Sequence, residues 1–155
     1  MVKAFIKKST KSNIVYLGAG FDITYYRLNE QAATFYEIDL PEVIDARGKL
    51  LGEQPNELLI VGDIFDMKWT KQIDRSTLTL LTAAGVLQYF KEDKVIRFIS
   101  EIKRNFPSVE LIFDATNKVG LKHANRCVKT SENADAPIDF YIDDSMEFSK
   151  KPKQS

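Results

Sequence analysis

The sequence has too few cysteine and histidine residues for several kinds of site. Its 155 residues contain one cysteine, Cys127, and one histidine, His123. A single cysteine excludes an intramolecular disulfide, and one cysteine with one histidine cannot make a zinc site without several carboxylates. The two residues are four positions apart with no evident third partner, which favours a structural or surface thiol over a nucleophile. We therefore predict neither a metal centre nor cysteine catalysis.

Net charge and long apolar runs are absent as well. Lys plus Arg equals Asp plus Glu at 22 each, so no overall field attracts nucleic acid or an anionic membrane. Neither a signal peptide nor a transmembrane stretch precedes the first charged residues. We therefore expect a cytoplasmic location, and neither nucleic acid nor a membrane as a partner.

What the sequence does contain is one α/β domain. It is 44% hydrophobic and 28% charged, and short apolar runs alternate with amphipathic stretches, as in parallel βαβ units. We predict a core over residues 1–148 and a disordered tail over 149–155. The predicted helices are 41–51, opened by a proline, and 91–105. The predicted strands are 13–17, 34–38, 57–61, 77–83 and 109–113, with a weaker sixth at 138–142.

Two glycines follow the first predicted strand directly. Gly18 and Gly20 lack a Cβ, so backbone N–H groups there can approach a ligand closely. In an open parallel sheet, ligands bind outside the carboxyl ends of the strands. The alternative is a tight turn with no ligand, because a short glycine motif is weakly specific.

Carboxylates follow the next two strands. Asp39 comes 19 residues after Gly20, at a strand end where it can accept both hydrogen bonds of a ribose diol. Glu37 shares its face of the strand and is a competing candidate, or a charge solvated at the rim. Asp63 and Ile64 suit an adenine, the carboxylate accepting from the amine and the isoleucine packing on the ring. Alternatively, Asp63 caps the following helix.

The glycine pattern separates methyl transfer from hydride transfer. A dinucleotide fingerprint has a third glycine three residues after the second, where this chain has Ile23. Asp22 adds a negative charge, which is unfavourable for a pyrophosphate and harmless to a cationic sulfonium. An NAD-type oxidoreductase is therefore a second alternative.

Several motifs together resemble a known family, the leucine carboxyl methyltransferases with the tetracenomycin-type polyketide O-methyltransferases. The motifs are IVYLGAGFDITYYRL, FYEIDLPEVIDARGKLL, VGDIFD, AAGVLQYF and LIFDATNKVG. The resemblance implies a Rossmann-like class I methyltransferase fold, a three-layer sandwich around a mostly parallel sheet, with S-adenosyl-L-methionine as cofactor. It further implies that Gly18 and Gly20 line the methionine part, Asp39 binds the ribose, and Asp63 with Ile64 contacts the adenine.

The chain departs from that family at three places. Ala84 stands where the family has a glutamate that helps to hold the amino acid end of the cofactor. The family's N-terminal arginine has no counterpart, and similar proteins continue past Met146 to a last strand. The chain therefore resembles a member truncated at both ends. Without the last strand, the fifth predicted strand would have an unpaired edge, which predicts a homo-oligomer through that edge or poor solubility.

The resulting prediction is an S-adenosylmethionine-dependent O-methyltransferase acting on a carboxylate or hydroxyl of a small, polyketide-like molecule. The first alternative is a non-catalytic fragment or subunit with weak cofactor binding, as Ala84 suggests. No residue is predicted to be catalytic, because methyl transfer rests mainly on positioning two reactants. Tyr25, Tyr26 and Arg27 either shape an acceptor pocket or pack the first helix on the sheet.

Overall fold

The computed structural model describes residues 1–28, 30–52, 54–129 and 136–151. Helices and strands alternate along most of this length, as the sequence predicts. The strands are β1 (Ser12–Leu17), β2 (Ala33–Asp39), β3 (Glu57–Val61), β4 (Thr79–Ala83) and β5 (Val109–Phe113). The helices are α1 (Val2–Ile6), α2 (Thr24–Leu28), α3 (Pro41–Leu51), α4 (Glu92–Asn105), α5 (Lys118–Lys129) and α6 (Ser145–Lys150), with 3-10 turns at Met67–Gln72 and Leu87–Tyr89.

The five strands form one parallel sheet in the order β3-β2-β1-β4-β5. The chain runs outward from β1 to β3 and then crosses back to β4 on the other side of β1. The strand order thus reverses at β1, where such sheets place a ligand. This arrangement confirms the predicted parallel α/β fold.

The sheet is buried on both faces because its central strands are apolar on both sides. All six residues of β1 are buried, as expected of a strand covered by helices on each face. One face packs on α4 through Val95, Phe98 and Ile102. The other packs on α1 and α2 through Phe5 and Tyr25. None of the helices among the described residues is long and apolar enough to cross a bilayer.

The predicted sixth strand is wrong. Residues 138–142 make only an isolated bridge, between Tyr141 and Thr116, and pair with no other strand. Phe140 is fully buried, so the apolar pattern reflects one anchoring side chain. Of the predicted tail, Ser149 and Lys150 lie in α6, and residues 152–155 lie outside the described part of the chain.

Candidate functional site

A crevice of about 300 Å³ opens at the carboxyl ends of β1 to β4. The register explains why its residues meet: Leu17 pairs with Ile38, and Asp39 pairs with Val61. The residues after each strand are therefore level with one another. Ten residues line the crevice: Gly18, Asp39, Leu40, Gly62, Asp63, Ile64, Gly85, Val86, Tyr89 and Phe90. Of the six residues considered for the cofactor site in the sequence, four line the crevice and two, Gly20 and Ala84, do not.

The turn after β1 requires glycine at its first position. Gly18 has φ +66, and a Cβ there would lie 2.5 Å from Cγ2 of Val86. Gly20 also has a positive φ, of +50, but open space around it. Gly20 does not line the crevice itself and contacts it through Asp39, whose Oδ2 accepts the Gly20 N–H at 2.8 Å. Both glycines are thus tied to the crevice.

The Asp39 carboxylate holds the ends of two strands together. Besides the Gly20 N–H, it accepts the Leu40 N–H at Oδ1, at 2.7 Å. Each carboxylate oxygen has two lone pairs, so both oxygens can accept one further hydrogen bond. Asp39 is half-buried at the crevice wall, which suits it to receive a diol.

Asp63 and Ile64 present a polar and an apolar group side by side. Oδ1 of Asp63 accepts the Phe65 N–H at 2.9 Å, which leaves Oδ2 available. The capping alternative for Asp63 is wrong, because Asp66 is the N-cap of the following 3-10 turn. The carbonyl of Ile64 accepts the indole N–H of Trp69 at 2.9 Å, so a buried tryptophan fixes the isoleucine.

The loop after β4 provides crevice residues that the sequence did not single out. Ala84 is exposed and does not line the crevice, whereas Gly85, Val86 and Phe90 do. Gly85 has φ +69 and donates its N–H to Oδ1 of Asp114 at 2.8 Å. The AAGVLQYF motif identified this loop in the sequence, but the backbone conformation of the loop decides which of its residues face the crevice.

Glu37 lies beneath the crevice and not in it. It is fully buried on the same face of β2 as Asp39, with Oε1 3.2 Å from Nη2 of Arg47. Burial outweighs the attraction of this arginine and raises the pKa of Glu37 to about 8. Both the competing role for Glu37 and its interpretation as a solvated rim charge are therefore wrong.

The aromatic residues of α2 pack against the sheet. Tyr25 is buried with its ring edge-on to Phe35, at 5.1 Å between centroids. The Tyr26 hydroxyl lies 3.2 Å from both the Leu51 carbonyl oxygen and Oε2 of Glu57, and it can donate its single proton to either acceptor. This packing favours the structural interpretation of Tyr25 and Tyr26 over an acceptor pocket.

The residues of the crevice fit a nucleoside. Asp39 and Asp63 supply separate acceptors, Ile64 and Phe90 supply apolar surface, and the cradle at Gly18 has no room for a Cβ. Its volume lies at the lower end of the range for small-molecule sites. None of the described residues that line the crevice is a histidine, cysteine or lysine. The arrangement can therefore hold and orient a ligand without a nitrogen or sulfur base.

Comparison with known proteins identifies relatives of the chain. A family model of leucine carboxyl methyltransferases matches residues 1–103, which confirms the resemblance predicted from the motifs. The tetracenomycin polyketide synthesis O-methyltransferase TcmP of Streptomyces glaucescens is 23% identical over 103 residues, 66% of this chain and 38% of that protein. Human tRNA wybutosine-synthesizing protein 4 is 23% identical over 146 residues, 69% of this chain and 21% of that protein.

Solved structures show the same fold. The small RNA methyltransferase HEN1 superposes with a TM-score of 0.68 at 15% identity, covering 97% of this chain and 20% of that one. The mycolic acid cyclopropane synthase CmaA1, solved with S-adenosylhomocysteine (SAH), gives a TM-score of 0.65 at 12% identity, covering 96% and 57%. These neighbours confirm the predicted Rossmann-like methyltransferase fold. The chain spans well under half the length of the curated relatives that it matches.

Proposed function

We propose that this chain binds S-adenosylmethionine in the crevice and passes the methyl group to an oxygen atom. The basis is that the chain belongs to the leucine carboxyl methyltransferase family. The acceptor is a carboxylate or hydroxyl of a small, polyketide-like molecule. One observation carries the proposal: Asp39 and Asp63, from the ends of neighbouring strands, line one crevice together with the Gly18 cradle.

Each crevice residue has a separate task in this proposal. Asp39 accepts hydrogen bonds from the two ribose hydroxyls, and Oδ2 of Asp63 accepts a hydrogen bond from the adenine amine. Ile64 and Phe90 pack on the adenine ring and exclude water from it. Gly18 allows the backbone to approach the methionine part. The cofactor supplies a methyl group on a positively charged sulfur, and the chain supplies the position and the charge around it.

The acceptor chemistry is argued from the described residues that line the crevice, which include no histidine, cysteine or lysine that could serve as a base. A carboxylate is already ionised and nucleophilic at neutral pH, whereas a phenol needs a nearby base. The name of TcmP as a polyketide O-methyltransferase supports an oxygen acceptor. A carboxylate therefore suits the described residues better than a phenol does.

A second candidate is a chain of this fold that binds cofactor weakly and does not catalyse. Ala84 favours it, because an exposed methyl group stands at the end of β4 where a carboxylate could hold the cofactor's ammonium group. The NAD alternative is disfavoured by the family match and by Ile23, which is half-exposed at the position of the third glycine.

Calorimetric titration with SAH tests the proposal. We expect micromolar binding, about −8 kcal/mol, and no heat with NAD. Replacing Asp39 or Asp63 by asparagine should weaken binding about tenfold or more, since a hydrogen bond to a charged group contributes about 1.5–3 kcal/mol. Asp45→Asn is the matched control, because Asp45 is exposed on α3, away from the crevice, and pairs with Lys49.

Three outcomes separate the candidates. Binding with loss in both crevice variants supports the proposed site, and methyl transfer in a screen of carboxylate and hydroxyl acceptors then identifies an enzyme. Binding without transfer supports the non-catalytic candidate. A folded chain that binds NAD and not SAH contradicts both.

A further inference from the structure

A single buried arginine contacts the turn that follows β1. Arg47 lies on the inner face of α3, and its side chain is 1% exposed. A charge this deep in a protein is strongly destabilising unless it is paired and hydrogen-bonded. The contacts of its guanidinium group therefore show what the residue holds in place.

One side of the guanidinium is anchored on the sheet. Nη2 donates to Oε1 of Glu57 at 2.9 Å and lies 3.2 Å from Oε1 of Glu37. These two glutamates come from the adjacent strands β3 and β2, and both are buried. The anchor is therefore rigid and shielded from water.

The other side holds the turn. Nη1 donates to the Asp22 carbonyl at 2.8 Å and to the Gly20 carbonyl at 3.2 Å. The Gly20 N–H is bound by Asp39 from the other direction. Gly20 has positive φ, and apart from its chain neighbours no residue has an atom within 4 Å of a Cβ position there. The hydrogen bonds at its N–H and its carbonyl therefore hold this residue in place.

The orientation of these carbonyls sets the orientation of the next N–H groups. In a planar trans peptide the C=O and the following N–H point in opposite directions. With the carbonyls of Gly20 and Asp22 turned inward to Arg47, the N–H groups of Phe21 and Ile23 are turned away from it. The arginine thus determines which backbone donors the turn presents.

We infer that Arg47 is a positioning residue for the cofactor site, which fixes the turn over residues 18–23 in the conformation that receives the methionine part of S-adenosylmethionine. This inference rests on the proposed function. The planar guanidinium fork is essential to the role, because the single nitrogen of a lysine cannot span two backbone carbonyls and two glutamate side chains. Arg47→Lys therefore keeps the charge and removes the geometry.

Two measurements on the full chain test the inference. The first is the affinity for SAH, which should be at least tenfold weaker in R47K. The second is amide hydrogen exchange without ligand, in which the Gly20 and Asp22 amides should exchange at least tenfold faster in R47K. Ile102→Val, in the core on the opposite face of the sheet, controls for a moderate loss of stability. Arg97→Lys, on the surface of α4, controls for the arginine-to-lysine exchange itself. Both control variants should leave the SAH affinity and the exchange rates within twofold of wild type.

The outcomes distinguish this inference from the proposed function. Equal affinity of wild type and R47K overturns the inference alone. Lack of SAH binding by the wild type overturns the proposed function. In that case the ligand-free exchange experiment still tests Arg47, and equal exchange rates of the Gly20 and Asp22 amides in wild type and R47K overturn its role. If R47K does not fold, Glu57→Gln replaces it: loosening the anchor should weaken binding threefold or more, and unchanged binding overturns the inference.

Discussion

Gly18 should not tolerate a side chain. In Gly18→Ala the Cβ meets Val86 at 2.5 Å in a left-handed conformation, so we expect unfolding in urea to require about 2–4 kcal/mol less. Gly85→Ala is the control, because Gly85 has φ +69 and open space, and it should lose about 1–2 kcal/mol. Val86→Ala should restore part of the loss in the Gly18→Ala background. Equal losses in both glycine variants would contradict the steric explanation.

Single residues at the crevice have roles that the sequence shows only in part. The sequence placed Gly18, Asp39, Asp63 and Ile64 at strand ends, and the strand register then brings them together. It did not reveal Arg47, whose partners come from β2, β3 and the turn. A signal was present, since Arg47 is three residues after Ile44 on the buried face of a helix. Only the fold shows what such a buried charge meets.

Glu37 should make stability depend on pH between about pH 4.5 and 8. Its pKa is raised from 4.5 to about 8 in the folded protein, so folding favours the protonated form. The stabilisation is full below pH 4.5 and is lost as pH rises through 8. Between pH 6 and 9 the free energy of unfolding should fall by about 2.7 kcal/mol more in wild type than in Glu37→Gln, because each pH unit below the folded pKa contributes about 1.4 kcal/mol. Parallel pH profiles from urea melts would show that Glu37 is ionised throughout.

At the scale of elements, apolar runs of β-branched residues predicted all five strands, two of them with identical ends. The strands are continuous, so local pattern suffices to find them. The strand predicted at residues 138–142 was wrong, because a segment anchored by one buried side chain can have the same apolar pattern as a strand. Helices α1 and α6 have five and six residues, too short for periodicity to define. Packing, and not local propensity, sets such short elements.

The segment around Phe140 should be essential although it forms no strand. Phe140 is fully buried against Phe113 and Phe148, and its N–H donates to the Gln88 carbonyl at the crevice loop. Phe140→Ala should therefore destabilise the protein by about 3–5 kcal/mol in urea or thermal unfolding. Tyr141→Ala is the neighbouring control, because its side chain is exposed, and should lose less than about 1 kcal/mol. Similar losses in both variants would mean that this segment is not anchored by Phe140.

At the scale of the whole molecule, the sheet has open edges. In the described part of the chain, β5 pairs with β4 and with no other strand. Thr79 donates its N–H to the Ser108 carbonyl, so alternate residues of β5 bond β4. In a parallel ladder the intervening residues, Val109 and Leu111, then direct their N–H groups outward. Such an edge is a template for pairing with another chain.

This edge supports the proposal that the chain forms a homo-oligomer through β5. Balanced charge, 22 against 22, gives little long-range repulsion to oppose association. We expect the mass measured by light scattering to rise above 17.7 kDa with concentration. Val109→Pro removes one outward N–H at the first residue of the strand, a position that accepts proline, and should shift the mass toward that of a single chain. Leu58→Lys, on the opposite edge strand β3, should not. A mass that stays at one chain across the concentration range would contradict association, and an effect of Leu58→Lys alone would assign it to the β3 edge.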